Sequence, residues 1–263
     1  MTTSSSGHDA TSTANPGTVT TRAPATWRAY GRTLALLFAA GWFATGLLYA
    51  YASVVTPVIL DPAVTTSPQQ LAAYFRELER GAPLYLLTFV CFTGADFLLL
   101  LLSVVLRELV EPRDIRIELA RICMVVAMSF GVLVDVMLFS HWLVTRNIAL
   151  SLGPSAQAAL WVFWFEIQTL GVWLSVAGFL IGALGLLLFA NAIASVAAWR
   201  RWAVMTRAFA GVILLEVGAI IFDTVTASSG LATGILFLLL SVVVAPTWAL
   251  WLARGLRHAE AGH

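Results

Sequence analysis

Apolar runs of about twenty residues, the length that crosses a bilayer as a helix, recur along this chain between short charged or turn-forming segments. One of them organises the rest. It runs from Ile122 to Thr145, between Arg121 and Arg146, with Asp135 near its middle and His141 near its far end. It is the third of six predicted spans; the others cover about residues 33–56, 84–106, 172–198, 208–226 and 231–252. The expectation is an all-α, multi-pass transmembrane helix bundle in which residues 27–257 form one domain.

The connecting segments carry their own patterns. Residues 1–26 are rich in Ser, Thr, Gly, Ala and Pro and lack apolar periodicity, so they are expected to form a disordered tail. Residues 258–263 are a second, short tail. Ala50-Tyr51-Ala52 resembles a small-residue cleavage site. The basic leader is too long for a signal peptide, however, and the apolar run exceeds the ~7–15 residues of a signal core, so an uncleaved span is expected. Ser67-Pro68-Gln69-Gln70 has the form of a capping box with proline at the first helical position. Leu71, Tyr74, Phe75 and Leu78 follow at helical spacing and Gly81 is a plausible stop, which predicts a short amphipathic helix on the outer membrane surface. The apolar stretch 158–199 is twice a span. We divide it near Gly171 into a second outer interfacial helix over 156–170, holding Trp161, Trp164 and Glu166, and the fourth span. Gly178 and Gly182 in that span have the spacing of a close helix contact, and Pro246 is expected to kink the sixth.

Composition agrees: 60% of residues are hydrophobic and 11% charged, with a mean hydropathy of +0.88, against roughly 45–50% and 25% in soluble domains. The net charge of +1 matters only as a pattern. All fifteen basic residues are arginine, and twelve lie before the first span, in 107–121, in 199–207 or after the sixth. Positive charge stays cytoplasmic, so both termini are expected inside. Nine of the ten tryptophans fall near predicted interfaces, as an aromatic belt would have them, and only Trp42 is mid-span. The absence of lysine excludes retinal and pyridoxal Schiff bases, and no basic face for nucleic acid exists. Cys91 and Cys123 lie near opposite faces of the membrane, roughly 20 Å apart by helical rise, too far for a disulfide. No phosphate loop, dinucleotide fingerprint or nucleophile elbow occurs, and no cofactor is expected.

The candidate chemistry is a set of intramembrane polar residues: Asp96, Asp135, Glu216, Asp223 and His141. Counted from the arginine-rich side at 1.5 Å per residue, Asp96, Asp135 and Glu216 lie at depths of roughly 16, 21 and 14 Å, in or next to the middle third of the core. Asp223 and His141 lie further out, at roughly 24 and 30 Å. Thr93, Asp96 and Ser103 share one side of the second span. Met128, Gly131, Asp135 and Trp142 share a side of the third, where Gly131 leaves a notch, and Glu216 and Asp223 share a face of the fifth. These three faces are expected to look inward on one another. No arginine sits at that depth, and hydrocarbon disfavours an ionised side chain. The carboxyls therefore either donate hydrogen bonds as neutral acids or line a path for a cation or proton. The alternative is that they only hold helices together. A metal site is poorly supplied: Asp135 and His141 point about 120° apart on one helix, and no His-x-x-x-His pair occurs.

Four features together resemble an uncharacterised bacterial family of six-span membrane proteins known only as a domain of unknown function. They are Gly46-Leu47-Leu48-Tyr49 late in the first span, the outer helix over 67–80, Arg107 closing the second span, and Arg207-Ala208-Phe209-Ala210-Gly211 opening the fifth. The resemblance covers about residues 30–257. It implies an integral protein of the bacterial plasma membrane and no catalytic residue; the Ser/Thr-rich tail is additional. Three functions remain open. The first is a small transporter or ligand-binding bundle, surrounded by membrane lipids, with a midplane site for a small cation, a proton or a lipophilic ligand. The second is a membrane-embedded enzyme acting on a lipid or isoprenoid substrate through Asp135, Asp223 and His141. The third is a structural or partner subunit.

Overall fold

The computed structural model describes residues 25–55, 68–109, 115–196, 199–226 and 230–261, and no strand occurs among them. The elements are α1 (Ala25–Val55), α2 (Pro68–Arg80), α3 (Ala82–Leu109), α4 (Ile115–Ile148), α5 (Pro154–Ile193), α6 (Arg200–Thr226), α7 (Leu231–Leu238) and α8 (Ala245–Ala261). A π-helical turn, Leu239–Val244, joins α7 to α8. Six helices are long and apolar enough to cross a membrane, the sixth being α7, the π turn and α8 together. Their outward faces fit that reading: Leu47, Leu87, Leu133, Leu184, Leu215 and Ile235, one from each, are more than half exposed. Apolar exposure on that scale marks a surface that meets lipid or another apolar partner.

The six helices close into a ring. Each packs on the next in sequence, as short connections between antiparallel helices favour, and α8 returns to pack along α1. The core runs through Leu34, Phe38, Trp42, Leu99, Leu102, Met124, Leu186, Phe209, Trp248 and Leu252. The most extensive contact joins α4 to α5. There Gly178 and Gly182 bring α5 against the Ala127 backbone and side chain, so that a Cβ on either would lie 3.3–3.4 Å from Ala127. At the arginine-rich end Glu118, in the first turn of α4, accepts from Arg121 (3.1 Å) and from Arg107 at the end of α3. Trp202 stacks on Trp248 (5.3 Å between centroids), and the Trp248 indole donates to Thr206 Oγ1 (3.0 Å), tying α6 to α8.

The outer helix expected over 67–80 is α2. Tyr74 and Phe75 are buried on it, and it packs on α5 and on the short 3₁₀ turn Ala149–Ser151. Its Ser67 cap lies outside the described residues, as do residues 1–24 of the expected tail; Ala25 and Thr26 already belong to α1.

Several expectations need correction. The second outer helix over 156–170 is not separate: Pro154 to Ile193 is one unbroken helix that ends five residues before the expected limit of the fourth span. Gly171 does not stop it, because an interior glycine costs a helix only about 1 kcal/mol and here its bare Cα makes room for Leu138 of α4, whose methyl would lie 2.9 Å from a Cβ. Pro246 leaves its mark upstream, as the π turn: proline has no N–H and crowds the carbonyl four residues back, and a widened turn relieves both. Helix α6 starts at Arg200, eight residues before the expected span, because Trp202 and Thr206 are buried in the bundle. Helix α8 reaches Ala261, into the expected C-terminal tail. The tryptophans near span ends mostly face other helices rather than outward. Trp142, Trp164, Trp199, Trp202 and Trp248 are buried between helices, like Trp42, and only Trp27, Trp173 and Trp251 face outward among the large exposed groups.

Candidate functional site

Helices α3 and α4 bring two carboxylates together. Asp96 is 6% exposed and Asp135 5% exposed, and each is within electrostatic reach of the other. The contact depends on Gly131, one turn before Asp135. A Cβ at Gly131 would lie 2.4 Å from Asp96 Oδ2, so the notch in α4 is filled by the acid of α3. Thr93, one turn before Asp96, sets its hydroxyl beside Asp135. Asp135 Oδ2 is buried with no hydrogen-bond partner among the described residues, and so is Thr93 Oγ1. No arginine lines the space around the pair.

Two small cavities meet at Asp96. One, of about 30 Å³, is lined by Phe92, Gly131, Asp135 and Ser175 among others. The second, also about 30 Å³, draws residues from all six membrane-length helices, including Trp42, Met128, Gly182, Ile213 and Leu240, and Asp96 is its one polar side chain. A cavity of 10–15 Å³ on this measure holds a water, so each has room for one or two waters or a small ion. Neither admits an organic solute.

Polar groups continue from the pair toward α2. Tyr85 of α3 lies within electrostatic reach of Asp135, and Tyr74 of α2 within reach of Tyr85. Burial, reinforced by Tyr85, pushes the Tyr74 phenol above its ordinary range, so it keeps its proton. These tyrosines sit in an aromatic cluster with Phe75, Phe139, Trp142 and Trp164. In the opposite direction Leu99, Leu186 and Phe209 line the second cavity, and beyond Leu186 a further one of about 20 Å³ is lined by Ser103, Arg107, Arg121 and Trp248.

The other predicted residues are placed elsewhere. Glu216 is 2% exposed, with Oε2 unpartnered among the described residues, but it lines neither cavity. Its neighbours in electrostatic reach are Asp223, one heptad on, and Tyr49 of α1. The three acidic faces therefore do not all converge; only Asp96 and Asp135 do. Asp223 Oδ2 accepts from both the backbone N–H (3.1 Å) and the hydroxyl (2.6 Å) of Thr233, the third residue of α7. It is a helix cap supplied from a neighbouring helix, needed because Gly230, in the left-handed region at φ 69°, has no side chain to cap α7 itself. His141 stacks on Trp164 (4.9 Å, 24°) and meets Phe163 edge-on. It belongs to the aromatic end, not to the carboxylate pair. Cys91 and Cys123 are both free. Among the described residues no three His, Cys, Asp or Glu side chains cluster.

Sequence reasoning passed over Tyr85, which a pattern of apolar positions counts as part of a span, and Ser175, which donates to the Gly171 carbonyl at 2.9 Å and so resembles any back-bonded helix serine. Comparison with protein-family models, curated proteins and solved structures finds no match to this chain.

Proposed function

We propose that this integral membrane protein is a small proton- or cation-responsive bundle, a transporter or sensor whose site is the Asp96–Asp135 pair, with both termini on the cytoplasmic side. The observation that carries the reading is two adjoining carboxyls inside a closed six-helix ring, with no guanidinium beside them and two small cavities that meet at Asp96. Two like charges at close range in a poorly polar space cannot both stay ionised without help. The pair therefore holds a proton between its members or a small cation against them. The size of the cavities favours these occupants over the lipophilic ligand that the sequence left open. Tyr85 and Tyr74 favour access from the α2 end. The orientation rests on the arginine distribution. Membership of the six-span bacterial family is part of the proposal and assigns no residue a role.

The enzyme reading loses support because its three residues, Asp135, Asp223 and His141, lie in different surroundings. The structural reading is favoured at one position only, Asp223, which caps a helix.

The test is thermal stability of the purified chain in nanodiscs, measured across pH and with Na⁺, K⁺ or a bulky organic cation. The native chain is expected to respond to pH or to one of the small cations. Asp135→Asn keeps the size and hydrogen bonding of the neutral acid and should fold normally while losing that response. A native chain indifferent to every condition, or a response that survives both Asp96→Asn and Asp135→Asn, sinks the proposal.

A further inference from the structure

A second polar feature lies on the outside of the ring, at the arginine-rich end, between α1 and α8. There a groove of about 370 Å³ is lined by Arg32 and Leu36 of α1 and by Thr247, Leu250, Trp251, Ala253, Arg254 and Arg257 of α8. It is more than ten times larger than either cavity at Asp96. We propose that this groove binds the phosphate headgroup of an anionic phospholipid drawn from the surrounding leaflet.

Three observations carry the inference. The first is charge: Arg32, Arg254 and Arg257 converge on one space, and no acidic side chain lines it. None of the three makes an ion pair or side-chain hydrogen bond among the described residues. Three other arginines at the same end have partners: Arg107 and Arg121 share Glu118, and Arg207 donates to Asn191 (2.9 Å). Arg200 and Arg201, like the groove arginines, have none among the described residues, so it is the convergence on one space that sets the groove apart. Three like charges in one groove repel, an effect that water and salt screen in part, and an anion relieves it; the guanidinium fork suits phosphate oxygens.

The second is the order of the lining residues along the helices. Leu36 follows Arg32 by one turn and Leu250 precedes Arg254 by one turn, so on both walls the charge stands at the water end and the apolar side chain about 6 Å deeper. A phospholipid has that same order, phosphate above and acyl chain below. A soluble anion would need only the upper half. The third is position. Leu36, Leu250 and Trp251 are 41%, 45% and 40% exposed on the outer surface of the ring, where lipid is the available neighbour. Trp251 is one of the outward-facing tryptophans, and indole rings favour the headgroup level. Basic pockets between spans on the cytoplasmic side have the chemistry that holds such headgroups. The inference rests on the membrane-spanning reading alone and is independent of the carboxylate pair.

The experiment is a titration of the full chain in detergent with short-chain phosphatidylglycerol, phosphatidylcholine or inorganic phosphate, with retained lipid read by native mass spectrometry. Phosphatidylglycerol should be retained in preference to phosphatidylcholine, and each of Arg32→Gln, Arg254→Gln and Arg257→Gln should weaken it about fivefold. Arg201→Gln removes an equal exposed charge from the same end outside the groove and should change retention little, which separates the site from general surface charge. All four positions lie at or near the surface, and unchanged thermal unfolding checks that the variants fold. Equal retention of the two lipids, or undiminished phosphatidylglycerol retention in the triple variant, overturns the proposal. Inorganic phosphate that displaces phosphatidylglycerol at low millimolar concentration marks a soluble-anion site and overturns the lipid assignment.

Discussion

Asp135 and Asp223 are the same residue type, each set in an apolar span, yet the molecule treats them in opposite ways. Asp223 sits where α6 meets α7 and accepts both donors that Thr233 can offer. Asp135 lines a cavity between α3, α4 and α5, with one oxygen unpartnered among the described residues and a second acid for a neighbour. The difference lies in what surrounds each acid. The end of a span offers the orphan N–H groups of the next helix, and a carboxylate there is a cap. The middle of a span offers none, because every backbone donor is already used within its own helix. An acid in mid-span must find a side chain, a proton or an ion.

The largest effect is expected at Gly131, where the central contact can be broken without touching either acid. Gly131→Ala would place a Cβ 2.4 Å from Asp96 Oδ2 and force that carboxyl away from Asp135. Overpacking of this kind costs about 1–3 kcal/mol, less the gain of about 1 kcal/mol that alanine brings to a helix. Adding Asp96→Ala removes the clashing atom, so the double variant should unfold at a higher temperature than Gly131→Ala alone. If it does not, the two residues do not meet as described. The same single variant should blunt any proton or cation response of the pair, since it separates the acids.

Asp223 should give a local effect, confined to the start of α7 and without consequence for the carboxylate pair. Asp223→Ala strips α7 of its cap, at a cost of about 0.5–2 kcal/mol. Hydrogen exchange should quicken over 231–235 and nowhere in α3 or α4. Asp223→Asn keeps a carbonyl oxygen for Thr233 and should lose much less. Were the asparagine variant as damaged as the alanine one, the charge of Asp223 would matter, and its contrast with Asp135 would fail.

Why some of this was legible in the sequence follows from the same physics. Hydrocarbon imposes long apolar runs, so the six spans are legible in Ile122–Thr145 and its counterparts, while α2 is legible in its capping box and the helical spacing of Tyr74 and Phe75. Helix phase placed Gly131 and Asp135 on one face and left a notch there. Phase says nothing about which neighbouring helix fills the notch, and that neighbour proved to be α3 with Asp96, while Glu216 turned toward Tyr49 and Asp223. Tryptophans near span ends were equally ambiguous. An indole at that depth suits the lipid interface or a helix–helix contact, and Trp202 and Trp248 took the second because each finds an acceptor inside, the Trp248 carbonyl and Thr206. Span length alone asks for a division near Gly171 and proline chemistry for a kink at Pro246, whereas packing against Leu138 keeps the first helix whole and a π turn accommodates the second.

His141 offers the smallest effect and the sharpest check on the aromatic end. Its ring lies 24° from parallel to Trp164 at 4.9 Å and edge-on to Phe163 at 5.0 Å, and its Nε2 has no hydrogen-bond partner among the described residues. On that geometry the ring contributes shape and stacking, worth about 0.5–1.5 kcal/mol beyond its buried area, and its nitrogens contribute little. His141→Phe keeps the ring and should shift stability by no more than about 0.5 kcal/mol, with the proton or cation response intact. His141→Ala removes the stack and should cost more than phenylalanine does. The outcome to watch for is the reverse order, or a phenylalanine variant that folds but loses the response. Either would mean that an imidazole nitrogen acts at the aromatic end, and the division between a packed aromatic end and a centre with unpartnered acids would have to be withdrawn.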